Sequence, residues 1–248
     1  MAVVFEPTKG LTDKPFHYCP GCCHGIIHRL LAETLVEQDA LETAVGVASV
    51  GCTYNSYEYI ACDMVQAAHG RAPAVATGIK RSDPENHIVF TYQGDGDLAS
   101  IGMAETVHAA ARNENITVVF INNAIYGMTG GQMSPTTMPG QVTETTPYGR
   151  DCSVTGKPAK GAEMIAAIAD PEKSYVARSS MGNPRALKKV LKAALENVAN
   201  GGFSFVEVLS VCPNNWRTNN IKTLDRLKQM EEFFEIKEFV TPAKKEEV

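Results

Sequence analysis

Two short motifs concentrate oxygen donors where a phosphate and a hard cation could meet. The first is Gly94-Asp95-Gly96-Asp97, and twenty-five residues separate its Gly96 from the second, Asn122-Asn123. That separation is the length of one helix, one loop and one strand, so Asp95 and Asn123 are expected at the ends of adjacent strands. Glycines at 94 and 96 let backbone approach a phosphate closely, and a helix starting there offers unpaired N–H groups. Magnesium takes oxygen ligands in an octahedron, usually few carboxylates plus substrate phosphates. One Asp, one Asn amide oxygen, a backbone carbonyl, two diphosphate oxygens and a water would complete it. Taken alone, the same residues also suit a glycine-bearing type I′ or II turn and an Asn-Asn loop corner.

Sulfur forms the second constellation. Cys19-x-x-Cys22, shaped by Pro20-Gly21, puts two thiolates on one tight turn. That suits a tetrahedral metal or two corners of a cubane cluster, and also a redox pair or unrelated buried cysteines. A zinc ribbon needs a second Cys-x-x-Cys, which the sequence lacks. Any remaining ligands must therefore be isolated cysteines. Cys52 and Cys212 qualify by position, whereas Cys62 and Cys152 read as buried or loop cysteines.

The elements that must position these residues follow from periodicity. A helix is expected after Cys22, with Ile26, Ile27, Leu30, Leu31, Leu35 and Val36 at helical spacing. Residues 44–50 read as a buried strand ending at Gly51-Cys52. Helical character is expected over 56–68 and again over 72–80. A strand at 87–92 leads into the Gly94 turn, a helix over 98–112 follows, and a strand at 116–121 ends at Asn122-Asn123. Strand, turn, helix, strand is a βαβ unit and implies a parallel sheet. Residues 126–162 lose periodicity in a run of Gly, Pro, Thr and Met, and so long a structureless segment is usually functional. A short helix at 162–169 and a strand at 175–179 come next. Asn183-Pro184 caps a helix with a stripe of Leu187, Val190, Leu191, Ala194, Leu195 and Val198, ended by Gly201-Gly202. The last strand, 203–211, runs into Cys212-Pro213, and the charged tail from Thr223 is expected to be helical and superficial. Cys52, Gly94, Asn122 and Cys212 thus each follow a strand. In an open parallel sheet, ligands bind beyond the carboxyl ends of strands.

Composition sets the outer bounds. The 248 residues are 44% hydrophobic and 21% charged, an ordinary globular mixture. A net charge of −5 gives no electrostatic footprint for nucleic acid. No apolar run is long enough to span a membrane, and residues 1–14 lack the apolar stretch of a signal peptide. A cytoplasmic location is the expectation. Seven cysteines in that compartment point to metal binding or catalysis rather than disulfides.

The glycine-aspartate turn paired with Asn122-Asn123 is similar to the thiamine-diphosphate enzyme motif. Its continuation, Asn123-Ala124-Ile125-Tyr126-Gly127-Met128-Thr129-Gly130-Gly131-Gln132, specifically resembles the β subunits of 2-oxoacid:ferredoxin oxidoreductases. His69-Gly70-Arg71-Ala72 and Ala76-Thr77-Gly78-Ile79-Lys80 match as well, and the likeness runs from Cys19 to Cys212. It implies an α/β fold: a parallel sheet with helices on both faces, in one domain over 1–248, with an N-terminal cluster-binding arm and a C-terminal helical tail. Asp95, Asn123 and the Ile125 carbonyl would be magnesium ligands. Gly94, Gly96, Asp97, Tyr126 and Gly127 would lie at the thiamine diphosphate, and His69, Arg71 and Met128 at the reacting end. Cys19, Cys22, Cys52 and Cys212 would hold a [4Fe–4S] cluster. Cys23 stands where the family commonly has glycine, a competing ligand whose side chain should point away from that of Cys22.

The same resemblance implies oxidative decarboxylation of a 2-oxoacid, with the cofactor as electron sink, coenzyme A accepting the acyl group and ferredoxin the electrons. Thiamine activation also needs a glutamate on a pyrimidine-side domain. This chain has no room for one, so a partner α subunit is expected, and γ and small ferredoxin-like subunits can complete such complexes. Branched-chain 2-oxoacids and 2-oxoglutarate lead pyruvate as substrates. The alternatives are a non-oxidative thiamine-dependent decarboxylase subunit and a non-catalytic metal-binding assembly subunit. An NAD-binding domain is disfavoured because Gly-x-Gly-x-x-Gly is absent from the first βα turn.

Overall fold

The computed structural model describes residues 6–84 and 88–242, so His87, the expected start of one strand, lies outside them. The apolar runs form seven strands: β1 (Ala44–Ala48), β2 (Asp63–Gln66), β3 (Ile88–Gly94), β4 (Thr117–Asn122), β5 (Tyr175–Ser180), β6 (Ser204–Leu209) and β7 (Glu238–Val240). They make one sheet in the order β2-β1-β3-β4-β6-β5-β7. Every pairing is parallel except β5 with β7. Helices α1 (His24–Glu37), α2 (Ser56–Tyr59), α3 (Ala72–Ser82), α4 (Met103–Ala111), α5 (Cys152–Thr155), α6 (Gly161–Ala166), α7 (Pro184–Ala199), α8 (Pro213–Trp216) and α9 (Asn220–Phe233) complete the chain.

Strand alternation divides the apolar residues between two layers. Phe90, Tyr92, Val119, Ile121, Val206 and Val208 face α1 and α7, packing with Leu31, Leu35, Leu187 and Leu191. Their neighbours Val89, Val118, Phe120 and Phe205 face α3, α4 and α6, packing with Ala72, Ala76, Ala110 and Ile165. Central strands buried on both faces are what a parallel sheet requires, and they explain runs without polar alternation. Asn183 caps α7 as expected: its side chain accepts the Ala186 N–H at 3.1 Å, with Pro184 in the first turn. Such a cap contributes about 1 kcal/mol.

Three expectations change. The segment 56–68 is helical only over α2; it then extends into β2, an exposed edge strand alongside β1. Pairing with an open strand edge outweighs local helix propensity there. The expected helix at 98–112 begins with a π-helical turn, Asp97–Ile101, before α4. The extra residue accommodates Gly70, whose added Cβ would stand 2.4 Å from Ile101 and 2.8 Å from the Gly102 nitrogen. Such insertions recur at functional sites. The tail also adds β7 against β5, three residues too short to register as a strand in sequence.

Candidate active site

The strands that end at Cys52, Gly94, Asn122 and Cys212 are β1, β3, β4 and β6, four consecutive neighbours in the sheet. Their carboxyl ends therefore form one continuous edge. Strand order reverses between β1 and β3, and the cleft opens there, as expected for a doubly wound sheet. It is lined by Val50 to Thr53, His69, Gly94 to Asp97, Asn123 and Ile125 to Thr129, with His24 on its wall.

Neither Gly94 nor Gly96 adopts a positive φ, so no type I′ or II turn forms around them. Their value is space. A Cβ on Gly94 would meet nothing within 4 Å, leaving the strand end open toward the cleft. One on Gly96 would stand 2.3 Å from the Tyr126 ring, which closes against that residue.

Asp95 is buried and held from one side. Its Oδ2 accepts the Ile125 N–H (3.0 Å), the Ser134 hydroxyl (2.9 Å) and the Thr136 hydroxyl (2.6 Å), while Oδ1 accepts the Gly96 N–H (2.9 Å) alone among the described residues. Burial pushes its pKa up to about 6, against the lowering effect of those four donors. In the same cleft, Asn123 Oδ1 is buried without a hydrogen-bond partner among the described residues. An unpaired buried amide oxygen costs about 1–3 kcal/mol and calls for an explanation. A cation held by Asp95 and Asn123 would satisfy the unpaired amide oxygen and favour the ionised carboxylate. The two residues therefore fit magnesium bound with a diphosphate, which needs few protein carboxylates. Among the described residues no group of three or more His, Cys, Asp or Glu side chains stands ready for a single ion.

Between the two residues runs a strained corner. Ala124 has φ of +58°, rare for a residue with a Cβ. Its N–H donates to Asn122 Oδ1 at 3.1 Å, and its carbonyl accepts from Thr137 (2.7 Å) and Gln141 (2.8 Å). These bonds hold the conformation that turns Ile125 toward Asp95. The aperiodic segment after Tyr126 thus folds back to clamp the corner, through Ser134, Thr136, Thr137 and Gln141.

The remaining site residues divide. Asp97 lines the cleft, but its carboxylate turns inward: Oδ1 bonds His69 Nδ1 and the Gly70 N–H (2.7 Å), and Oδ2 accepts from Gln93 (2.7 Å). His69 is thereby fixed at the cleft wall. Met128 lies at the mouth, 54% exposed. Arg71 is not among the lining residues; it pairs with Glu105 on α4.

Cys52 and Cys212 come together beside Gly127 and the charges of Cys19 and Cys22 reach them, but among the described residues the four thiols are not gathered as a ready metal-ligand group. A Cβ on Gly127 would lie 3.1 Å from Cys52 Sγ and 3.7 Å from Cys212 Sγ, so glycine leaves room beside both sulfurs. Asn215 donates to Cys212 Sγ (3.4 Å) and to the Gly127 carbonyl (2.7 Å). Cys22 feels the charges of Cys52 and Cys212, and Cys52 and Cys212 both feel Cys19. Burial first, then like charges (Cys23, Cys52 and Cys212 on Cys22; Cys212, Cys19 and Asp95 on Cys52), push both thiols up to about 12. Iron bound to the thiolates would offset both effects, so the donor set fits a cluster. Cys19 is exposed, and Gly21, at φ +80°, bends its loop against Pro213. Cys23 instead packs against the apolar layers beneath α1. Cys62 lies by Met64, and Cys152 starts α5.

Several contributors were invisible in sequence. His24 is buried on the cleft wall, its Nδ1 2.8 Å from the Tyr92 hydroxyl, and burial, then His17, lowers its pKa to about 4. It belongs to a cluster of rings with Phe16, Tyr18, His28, Tyr59 and Tyr92. The one sequence signal was the spacing of His24 and His28 on the inner face of α1. Ser134 and Thr136 gave none, because aperiodic hydroxyls carry no register.

Residues 44–208 match the family model "Thiamine pyrophosphate enzyme, C-terminal TPP binding domain". The ketoisovalerate oxidoreductase subunit VorA of Methanothermobacter thermautotrophicus is 46% identical over 241 residues, covering 95% of this chain and 50% of that protein. The chain thus spans about half the length of that relative. The 2-oxoglutarate synthase subunit KorB of Archaeoglobus fulgidus is 38% identical over 220 residues, covering 89% of this chain and 77% of that one. A solved structure of 2-oxoglutarate:ferredoxin oxidoreductase from Magnetococcus marinus, with 2-oxoglutarate, coenzyme A and succinyl-CoA bound, superposes with a TM-score of 0.77 at 31% identity, covering 90% of this chain and 72% of that one. With the cleft geometry, these likenesses establish that the chain belongs to the thiamine pyrophosphate enzyme family and, within it, to the β-type subunits of 2-oxoacid:ferredoxin oxidoreductases.

Proposed function

We propose that this chain is the thiamine-diphosphate- and [4Fe–4S]-binding subunit of a cytoplasmic complex that oxidatively decarboxylates a 2-oxoacid with coenzyme A, forming acyl-CoA and CO2 and reducing ferredoxin. The observation that carries the reading is the buried Asn123 Oδ1, partnerless among the described residues, in the same cleft as Asp95 and bordered by Cys52. Asp95, Asn123 and the Ile125 carbonyl hold magnesium. Gly94, Gly96, Asp97, Tyr126 and Gly127 seat the cofactor, and Cys19, Cys22, Cys52 and Cys212 ligate the cluster. When bound, thiamine diphosphate supplies the electron sink for loss of CO2.

This chain's own residues orient and shield. Asp97 fixes His69 at the wall by hydrogen bonds. Tyr126 against Gly96 sets the floor of the cleft, and Met128 borders its mouth. Arg71, held by Glu105, supports the His69-Gly70 turn from outside. Asn215 donates to the Cys212 sulfur, which stabilises its thiolate. The pyrimidine-side glutamate comes from a partner α subunit, and γ and small ferredoxin-like subunits complete the assembly. Ketoisovalerate and 2-oxoglutarate are the favoured substrates, supported by the names of the relatives. Anaerobic purification with its partners, followed by iron, sulfide and thiamine analysis and a panel of 2-oxoacids, tests the reading. About four irons and one thiamine diphosphate per chain, with CoA-dependent ferredoxin reduction, are expected. Zinc-loaded protein without thiamine diphosphate would overturn it.

A further inference from the structure

Behind the strained corner lies a buried ionic network that the cleft does not touch. Glu207, on β6, is fully buried. Its Oε1 accepts the Asn122 Nδ2–H at 2.7 Å. Its Oε2 accepts the Ala162 N–H (2.9 Å) and the Arg178 guanidinium, 3.0 Å from Nε and 2.9 Å from Nη2. Arg178, on β5, is itself buried, pairs with Glu163, donates to the Glu235 carbonyl (2.9 Å) and lies over the rings of Phe234 and Phe239. Burial alone would lower its pKa, yet Glu207 and Glu163 hold it raised.

Both oxygens of Glu207 are thus assigned, and so is the orientation of the Asn122 amide. With Nδ2 committed to Glu207, Oδ1 must face the other way, where it accepts the Ala124 N–H. That bond helps hold Ala124 at its positive φ, between Asn123 and Ile125. A neutral hydrogen-bonding residue at 207 could satisfy Asn122 without the charge, but not Arg178 as well. Groups that orient metal ligands by hydrogen bonds typically change metal affinity 10- to 100-fold, and Glu207 reaches the corner through Asn122 and the Ala124 N–H.

We propose that Glu207 is a positioning residue for the metal corner: acting through Asn122, it fixes the amide orientation that presents Asn123 and Ile125 to the cation. The inference rests on the magnesium–diphosphate reading of Asp95 and Asn123. It makes a swap prediction. In Glu207→Gln, the amide oxygen must stay on Ala162 and Arg178, so its NH2 meets the Asn122 NH2. Asn122 then either loses that partner or flips and releases Ala124. In Asn122→Asp, a carboxylate oxygen faces Glu207 Oε1 instead. In the double variant, Glu207→Gln with Asn122→Asp, the introduced amide NH2 donates to the introduced carboxylate. The second oxygen of that carboxylate accepts from Ala124, and the network keeps its net charge.

The test uses the assembled complex, purified anaerobically, and titrates Mn2+ with thiamine diphosphate, following Mn2+ by electron paramagnetic resonance. Hydrogen exchange of segment 122–127 is measured without cofactor. Each single substitution should weaken Mn2+–thiamine diphosphate binding about 10- to 100-fold and speed exchange of the segment. The double should return both to within about threefold of the parent. Parent-like binding in folded single variants, or a double as impaired as the worse single, overturns the proposal. Should a single variant fail to fold, the double decides alone, supporting the proposal by binding like the parent and refuting it by binding about a hundredfold weaker. Failure of the parent complex to bind Mn2+ with thiamine diphosphate instead defeats the functional reading, and the exchange measurement still reports whether Glu207 holds the corner.

Discussion

Thr136→Val removes the shortest of the three donors on Asp95 Oδ2, the hydroxyl at 2.6 Å, and keeps the side-chain shape. Hydrogen bonds to a charged group contribute roughly 1.5–3 kcal/mol, and 1.36 kcal/mol corresponds to one pH unit, so Asp95 should titrate about one to two pH units higher. Its starting point is about 6, set by burial against its donors. At pH 7 the parent carboxylate is about nine-tenths ionised, and the variant's would be about half to one-tenth ionised. Only the ionised form binds the cation, so magnesium–thiamine diphosphate affinity at pH 7 should fall about two- to tenfold. The loss should vanish near pH 9, where both forms are ionised. Isothermal titration of parent and Thr136→Val in matched buffers between pH 6 and 9 reads this, and the cofactor's own protonation cancels in the ratio. Undiminished affinity at pH 7 would refute the reasoning. So would a loss that persists unchanged at pH 9, since Thr136 would then act on shape rather than charge.

The remaining predictions concern the same edge. Asn123→Ala should abolish Mn2+ binding while leaving apo-protein melting unchanged or slightly raised, because it deletes an unsatisfied buried oxygen. Asp95 has a raised folded pKa, so its contribution to apo stability is fully present below the ordinary carboxylate value and is lost as pH rises through about 6. That contribution is of the order of 3 kcal/mol, and Asp95→Asn should flatten this part of a chemical-denaturation pH profile. Cys52→Ser should lower iron content and change the cluster's reduced electron paramagnetic resonance signal, whereas Cys23→Ser should leave iron unchanged and cost only packing stability. His69→Asn, removing a partner of Asp97, should lower turnover of the assembled complex more than cofactor affinity, measured by steady-state kinetics alongside titration.

Much of the architecture was legible because buried strands and amphipathic helices carry their own signatures. The runs at 44–50, 116–121 and 203–211 could only be buried strands once a parallel sheet was assumed. Asn183-Pro184 marked a helix start by its chemistry alone. The strand β2 and the three residues of β7 were not legible, since each exists only by pairing with a neighbour distant in sequence. The π-helical turn was hidden for a similar reason: it answers the close approach of Gly70 to Gly102, two residues that no local pattern connects.

At the site, motif spacing determined which strands carry oxygen and sulfur donors. The three-dimensional structure decided what those donors face. Asp97 reads as a phosphate neighbour in sequence, yet its carboxylate is spent on His69, Gly70 and Gln93. Arg71 reads as a pocket residue, yet its guanidinium goes to Glu105. Gly96 is glycine because Tyr126 lies on it. The sequence by itself could name Asp95 and Asn123, because a spacing of one helix and one strand brings them to adjacent strand ends. Only the tertiary structure could reveal that Ser134, Thr136 and Gln141 hold the corner from an aperiodic loop, and that Glu207 and Arg178 brace it from behind. Hydrogen bonds between residues tens of positions apart depend on side-chain direction and burial, and neither is encoded in any periodicity along the chain.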